Sequence, residues 1–118
     1  MITVIKSPFV QYKLTILRNK KTSNTVFRQT MNEISYLIAS DVLQYVPFKK
    51  QTIETPLKKM SGTALGQPII LVPILRAGLG LLEGFAKFLP EAEKGHIGLY
   101  RDEQTYEPVE YLFKLPRI

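Results

Sequence analysis

The sequence predicts an α/β fold, with parallel sheet strands, flanking helices and a protruding two-stranded β arm. Three observations carry that expectation. The run Ile69-Ile70-Leu71-Val72 is apolar at every residue and closed by Pro68 and Pro73, as a strand buried on both faces of a parallel sheet would be. Phe27, Met31, Ile34, Ile38, Val42 and Tyr45 recur at spacings of three and four, the mark of a helix with one apolar face. Residues 95–101 and 109–114 are β-rich runs around the polar connector Asp102–Pro108, which is longer than a tight hairpin loop.

In chain order, Ile2–Ile5 alternates enough for a short strand. Ser7-Pro8 reads as an N-cap with proline at the first helical position. Val10, Leu14 and Leu17 give that helix its stripe, and Asn19-Lys20-Lys21 ends it. Ser23 or Asn24 caps the longer second helix, and Pro47 stops it. Residues 48–58 read as extended, and 60–66 as a loop by their glycine and serine. Pro73 cannot donate to a ladder, so the strand should stop there and the chain turn. The next helix carries Leu79, Leu82, Phe85 (or Ala86) and Leu89 on one face and ends at Pro90, before a charged turn at 91–94.

Composition narrows the class. With 118 residues, 45% hydrophobic and 22% charged, the chain is one globular domain at most. The absence of cysteine rules out disulfides and thiolate metal sites. No signal-peptide plan and no apolar run near 18 residues is present, so a cytoplasmic setting without a membrane partner is expected. Residues 1–60 hold ten Lys and Arg against three Asp and Glu, while 61–118 hold six against seven. The basic half invites a nucleic-acid reading. Its lysines, however, fall in pairs at 20–21, 49–50 and 58–59, each at an element end and beside no recognition-helix pattern, so nucleic acid is not an expected partner. His96 is the only histidine and reads as a surface residue, which leaves a Ser-His-Asp arrangement little to draw on. Asp102-Glu103 reads as a solvated tip rather than a metal site.

Chemistry concentrates in Pro73–Gly80. Arg76 sits alone among apolar residues, and Gly78 and Gly80 fall in the first turn of a helix, where each costs roughly 1 kcal/mol relative to alanine. A helix start after a buried strand offers free N–H groups and partial positive charge, and Arg76 adds a fork suited to phosphate. That describes an anion site. A plain βα turn, with the arginine in water and the glycines easing helix–sheet packing, has the same spacing, and no GxGxxG or Walker pattern separates the two.

The run Val72–Gly80 resembles the pyrophosphate loop of uracil phosphoribosyltransferases. Gly98–Val109, with Tyr111 and Lys114-Leu115-Pro116 after it, is similar to a second motif of that family. Ser7-Pro8-Phe9-Val10, Lys13-Leu14 and Phe27-Arg28 fit its N-terminus. The resemblance implies a partial phosphoribosyltransferase-type fold. Residues 1–60 would be a helical N-terminal segment, 67–90 the strand, pyrophosphate loop and helix, and 95–115 the arm. It also implies transfer of ribose 5-phosphate from phosphoribosyl pyrophosphate to uracil, a glycosyltransferase reaction of pyrimidine salvage.

By the same resemblance, Arg76 with the Ala77 and Gly78 backbone, and Arg101 on the arm, would bind the diphosphate, with Mg2+ bridged by the substrate. The family's Thr-Gly-Gly cradle for the 5-phosphate and its uracil segment are not among these residues. The expectation is therefore that the 118-residue chain is inactive alone and needs a C-terminal portion to engage uracil. No catalytic group is identified within it. An apolar strand edge and an arm of the kind that crosses a dimer imply a homo-oligomer. Two other classes stay open: a non-catalytic module that self-associates or binds a partner, and a basic RNA-binding relative.

Overall fold

A computed structural model describes residues 2–117. Helices α1 (Pro8–Arg18) and α2 (Asn24–Val42) come first, then a single 3-10 turn at Leu43–Tyr45. Strands β1 (Phe48–Glu54) and β2 (Lys59–Leu65) form an antiparallel hairpin. Then come β3 (Ile70–Leu71), β4 (Ile74–Leu75), α3 (Leu79–Phe88), β5 (Glu93–Lys94), β6 (His96–Arg101) and β7 (Pro108–Lys114). Parallel strands flanked by helices and a two-stranded arm are both present, so the α/β class holds.

Local chemistry explains the helix starts. Pro8 opens α1, although Ser7 makes no side-chain capping bond. Ser23 does cap α2, its Oγ accepting from the Val26 N–H at 3.2 Å. Lys13 Nζ donates to Glu33 Oε2 at 2.8 Å and ties the two helices together. The strand expected at Ile2–Ile5 is not formed. Residues 2–7 are irregular and pair with no described strand, leaving Ile2 and Val4 in water.

The buried face of α2 also departs from the expected stripe. Ile34 is buried, but Phe27, Val42 and Tyr45 are exposed, and Thr30, Ser35 and Ala39 are buried instead. The reason is the neighbour. Helix α3 packs so closely on α2 that a Cβ on Gly84 would run into the backbone of Ser35 and Tyr36. Small residues therefore win the contact. Ser35 Oγ accepts from the Gly84 N–H at 2.8 Å and donates to the Asn32 carbonyl at 2.6 Å, so its burial leaves no polar atom unpaired. Tyr36 and Phe88 meet edge-on at 5.8 Å beside it.

Residues 60–65 are strand, not loop, and residues 1–60 are accordingly helical only as far as Tyr45. The hairpin runs from Phe48 opposite Leu65 to Glu54 opposite Lys59. Its turn is fixed by Thr55, whose Oγ1 accepts from the Leu57 and Lys58 N–H groups and donates to the Lys58 carbonyl. Pairing, a non-local interaction, thus overrides the loop-like composition.

Pro73 interrupts the buried strand without ending it. β3 pairs parallel with β5, and β4 with β6, while Gly95 N–H donates to the Leu71 carbonyl and Ile97 N–H to the Pro73 carbonyl across the break. Proline removes a donor but keeps its acceptor, so the ladder continues through it. α3 is the crossover between these parallel strands, and β6 sits between β4 and antiparallel β7. Only Leu71 and Pro73 in the run 69–75 are buried; Val72 and Ile74 are exposed.

The molecule measures 62 × 38 × 29 Å with a radius of gyration of 18.3 Å. A compact domain of this length would have about 13.5 Å. The excess reflects the β1–β2 hairpin, exposed at every residue of β1 and most of β2, and the β6–β7 arm.

Candidate functional site

β4 delivers the chain into a turn at Arg76-Ala77-Gly78, after a cis Leu75–Arg76 peptide, and α3 starts immediately. The turn folds back on its own strand. Gly78 N–H donates to the Ile74 carbonyl at 2.8 Å, and a Cβ at Gly78 would sit 2.6 Å from that oxygen and 2.7 Å from Ile74 N. The close approach that makes glycine necessary here is thus to Ile74. Leu79, Gly80 and Leu81 N–H donate to the carbonyls of Arg76, Ala77 and Gly78. Among the described residues, the N–H groups of Arg76 and Ala77 donate to no protein acceptor. No side chain caps α3, and no acid lies in its first turn. The ten-residue helix therefore presents uncompensated positive potential at this turn.

Arg101 ends β6, the strand beside β4. Leu75 lies opposite Gly98, so Arg101 is three residues further along the same direction. With a strand rise of about 3.3 Å and spacing of about 4.8 Å, the Arg76 and Arg101 backbones are on the order of 10 Å apart. Both side chains are exposed, and neither forms an ion pair among the described residues. Arg76, Ala77, Gly78 and Arg101 therefore share one end of the parallel strands, the carboxyl end where open α/β sheets take ligands. An open recess of about 360 Å³ beside Arg101 is lined by Leu99, Tyr100, Tyr106 and Pro108. A larger cleft of about 760 Å³ lies at the other end, between 67–70 and 88–93 with Arg117 at its wall, and is lined by neither Arg76 nor Arg101.

The connector after Arg101 is solvated, as expected, and it is also ordered by its own bonds. Asp102 Oδ1 accepts from the Gln104 and Thr105 N–H groups at 2.8 and 3.0 Å. Asp102 N–H donates to the Glu107 carbonyl, and Tyr106 N–H to the Asp102 carbonyl. Tyr106 takes a φ of 59°, a left-handed conformation costly for a large side chain. An aspartate two and three residues before N–H groups it can bind is the available signal.

The Thr105 and Gln104 amides hold the Asp102 carboxyl below its usual value of 3.8. A depressed folded pKa contributes stability in full above the unfolded value and loses it as pH falls through the folded one. The Gln104 and Thr105 amide resonances should therefore follow a titration whose midpoint lies below 3.8. Movement centred at or above 3.8 in an NMR pH titration would contradict the clamp.

No group of three or more His, Asp or Glu side chains that could hold a metal occurs among the described residues. No helix among them is long and apolar enough to cross a membrane.

Against known proteins, the family model described as uracil phosphoribosyltransferase matches residues 4–118. The chain belongs to the uracil phosphoribosyltransferase family. It is 48% identical over 114 residues to the uracil phosphoribosyltransferase of Levilactobacillus brevis and 49% identical over 114 to that of Lactiplantibacillus plantarum, covering 96% of this chain and 54% of each relative. A solved structure, the AQ2163 protein from Aquifex aeolicus, superposes with a TM-score of 0.87 at 31% identity, over 98% of this chain and 56% of that one. The chain spans about half the length of the curated relatives it matches.

Proposed function

We propose that these residues form the diphosphate-binding side of a uracil phosphoribosyltransferase, which transfers ribose 5-phosphate from phosphoribosyl pyrophosphate to uracil and releases UMP and pyrophosphate. The observation that carries this is the pairing of Arg76, with its free turn amides at the start of α3, and Arg101 at the end of the neighbouring strand. In such a transfer the anomeric C–O bond breaks and negative charge grows on the departing diphosphate. Donors already fixed where that charge appears lower the barrier without reorganising. Arg76 and the Arg76 and Ala77 N–H groups supply such donors, Gly78 gives the turn its shape, and Arg101 closes on the group from the side.

Magnesium, implied by the family, fits this site only as a companion of the substrate. The loop offers cations and N–H groups, which do not ligate Mg2+, so diphosphate oxygens and water would hold it. Its contribution would be to neutralise the diphosphate. A multiply charged donor does not cross a bilayer unaided, which is compatible with the expected cytoplasmic setting.

The 5-phosphate cradle and uracil segment implied by the family resemblance lie outside these 118 residues. A polypeptide of these residues alone should therefore make no UMP, because nothing in it orients the ribose against uracil. Adding the complementary C-terminal portion of the Levilactobacillus brevis relative should yield UMP, and Arg76→Ala should abolish the gain. UMP made by the purified chain alone would overturn this division of the site, and indifference of the complemented activity to Arg76→Ala would overturn the role of the loop.

Self-association belongs to the same proposal. β3 and β4 leave one edge unpaired among the described residues, with Val72 and Ile74 exposed. The β1–β2 hairpin carries exposed Phe48, Ile53, Met60 and Leu65, and a two-stranded hairpin is marginal in water without a packing partner. Sedimentation equilibrium should show species heavier than 13.5 kDa as concentration rises. A single species at that mass, unfolding cooperatively, would contradict it.

A further inference from the structure

We propose that Asp102 is a positioning residue for the diphosphate site, acting through Arg101. The inference rests on Arg101 as a diphosphate ligand and deepens that reading. Arg101 is the last residue of β6, and the connector between β6 and β7 decides where its backbone points. That six-residue segment, 102–107, is closed at its base by Asp102 N–H to the Glu107 carbonyl at 2.9 Å and Tyr106 N–H to the Asp102 carbonyl at 2.8 Å. Its interior is held by Asp102 Oδ1, which takes the Gln104 and Thr105 amides together. Thr105 Oγ1 adds a weaker hold on the Glu107 N–H at 3.3 Å.

The left-handed backbone of Tyr106 does not suit its side chain, so the connector has reason to open once the carboxylate is removed. The register of Arg101 opposite Pro108 would loosen with it, since proline offers no N–H to hold that end of the arm. The carboxylate is also committed to backbone amides and forms no ion pair with Arg101, although the two are chain neighbours. The guanidinium is thus left for an incoming anion. Nearby charges on the connector are Glu103 and Glu107, both exposed and neither paired with Arg101.

The chemistry required of residue 102 is that of an acceptor rather than of a charge. Asn keeps a side-chain oxygen at the same place, whereas Ala does not. The test is calorimetric titration with inorganic pyrophosphate of the wild-type chain, D102A, D102N, R101A and the R101A/D102A double variant. Exchange of the Gln104, Thr105 and Gly84 amides is measured in parallel. Asp102→Ala should weaken binding about tenfold and deprotect Gln104 and Thr105 while Gly84 stays protected. Asp102→Asn should remain within about threefold of wild type. In the Arg101→Ala background the alanine at 102 should cost nothing further, since coupled residues are not additive.

Wild-type affinity in D102A would overturn the proposal and leave the site intact. An equal loss from D102A with or without Arg101 would also overturn it, because the residue would then not act through Arg101. Failure of the wild-type chain to bind pyrophosphate, or indifference to R101A, would instead remove the diphosphate site itself and the positioning role with it.

Discussion

Gly84→Ala lowers the melting temperature of the chain by on the order of 10–20 °C. The added methyl would overlap the backbone of Ser35 and Tyr36, which no rotamer change can clear. α3 must then move away from α2, or α2 must bend. Overpacking of that kind costs about 1–3 kcal/mol and sometimes more. Separation also loosens the Gly84 N–H to Ser35 Oγ bond, worth about 1 kcal/mol. Against these stands a gain in helix propensity of roughly 1 kcal/mol for replacing glycine. Because the clash falls on backbone atoms, overpacking takes the upper part of its range, about 2–3 kcal/mol. The bond and propensity contributions cancel, so the balance is a loss of about 2–3 kcal/mol, and a domain this small loses roughly 4–8 °C per kcal/mol. Ser35→Ala, which removes the bond without adding volume, should cost less than half as much. Thermal unfolding by circular dichroism at one fixed protein concentration checks both. A shift under about 3 °C for Gly84→Ala would mean that α2 and α3 do not pack backbone against backbone at this point.

Arg76→Ala weakens pyrophosphate binding by about 10- to 150-fold, the equivalent of the 1.5–3 kcal/mol that a hydrogen bond to a charged group contributes. Arg76→Lys should recover only part of this, because an ammonium restores the charge but not the planar fork. The baseline affinity of the 118-residue chain is expected on the order of millimolar, about −4 kcal/mol. The same substitution in the Levilactobacillus brevis relative should raise the requirement for phosphoribosyl pyrophosphate without changing the fold. Unchanged pyrophosphate affinity in both Arg76→Ala and Arg101→Ala would remove the assignment.

Features encoded over a few residues are legible in the sequence. Ser23 as a cap, Pro8 at a helix start and the two runs of the arm all depend on local chemistry and are found in place, whereas the turn expected at Pro73 comes three residues later, at Arg76–Gly78. Features that the sequence does not disclose depend on partners far along the chain. Residues 60–65 contain serine, glycine and alanine and look like a loop; they are a strand because β1 lies opposite. The buried face of α2 is marked by Ser35 and Ala39 rather than large apolar residues, and Gly84, which sets that choice, is 49 residues from Ser35. A search for apolar periodicity is blind to such a contact, because small residues carry little hydrophobic signal.

The candidate site divides in the same way. Arg76 and its glycine can be singled out from spacing, and Arg101 only through the family motif, because nothing local places β6 beside β4. Gly78 matters for its backbone, as the spacing suggests, though its N–H is spent on Ile74 rather than left for a ligand. Asp102 lies on a solvated connector, as the sequence suggests, and it also organises that connector by bonds within four residues. That signal is local, and an aspartate-turn pattern is enough to find it.

The most direct test of the diphosphate site is an NMR titration of the 15N-labelled chain with inorganic pyrophosphate, with chloride at matched ionic strength as reference. Saturating shifts should appear at the Arg76 and Ala77 amides and at the Arg101 side chain, with a common dissociation constant, while Gly78, whose N–H is held by Ile74, moves little. Shifts confined to the paired lysines at 20–21, 49–50 and 58–59, or scaling with ionic strength alone, would contradict it.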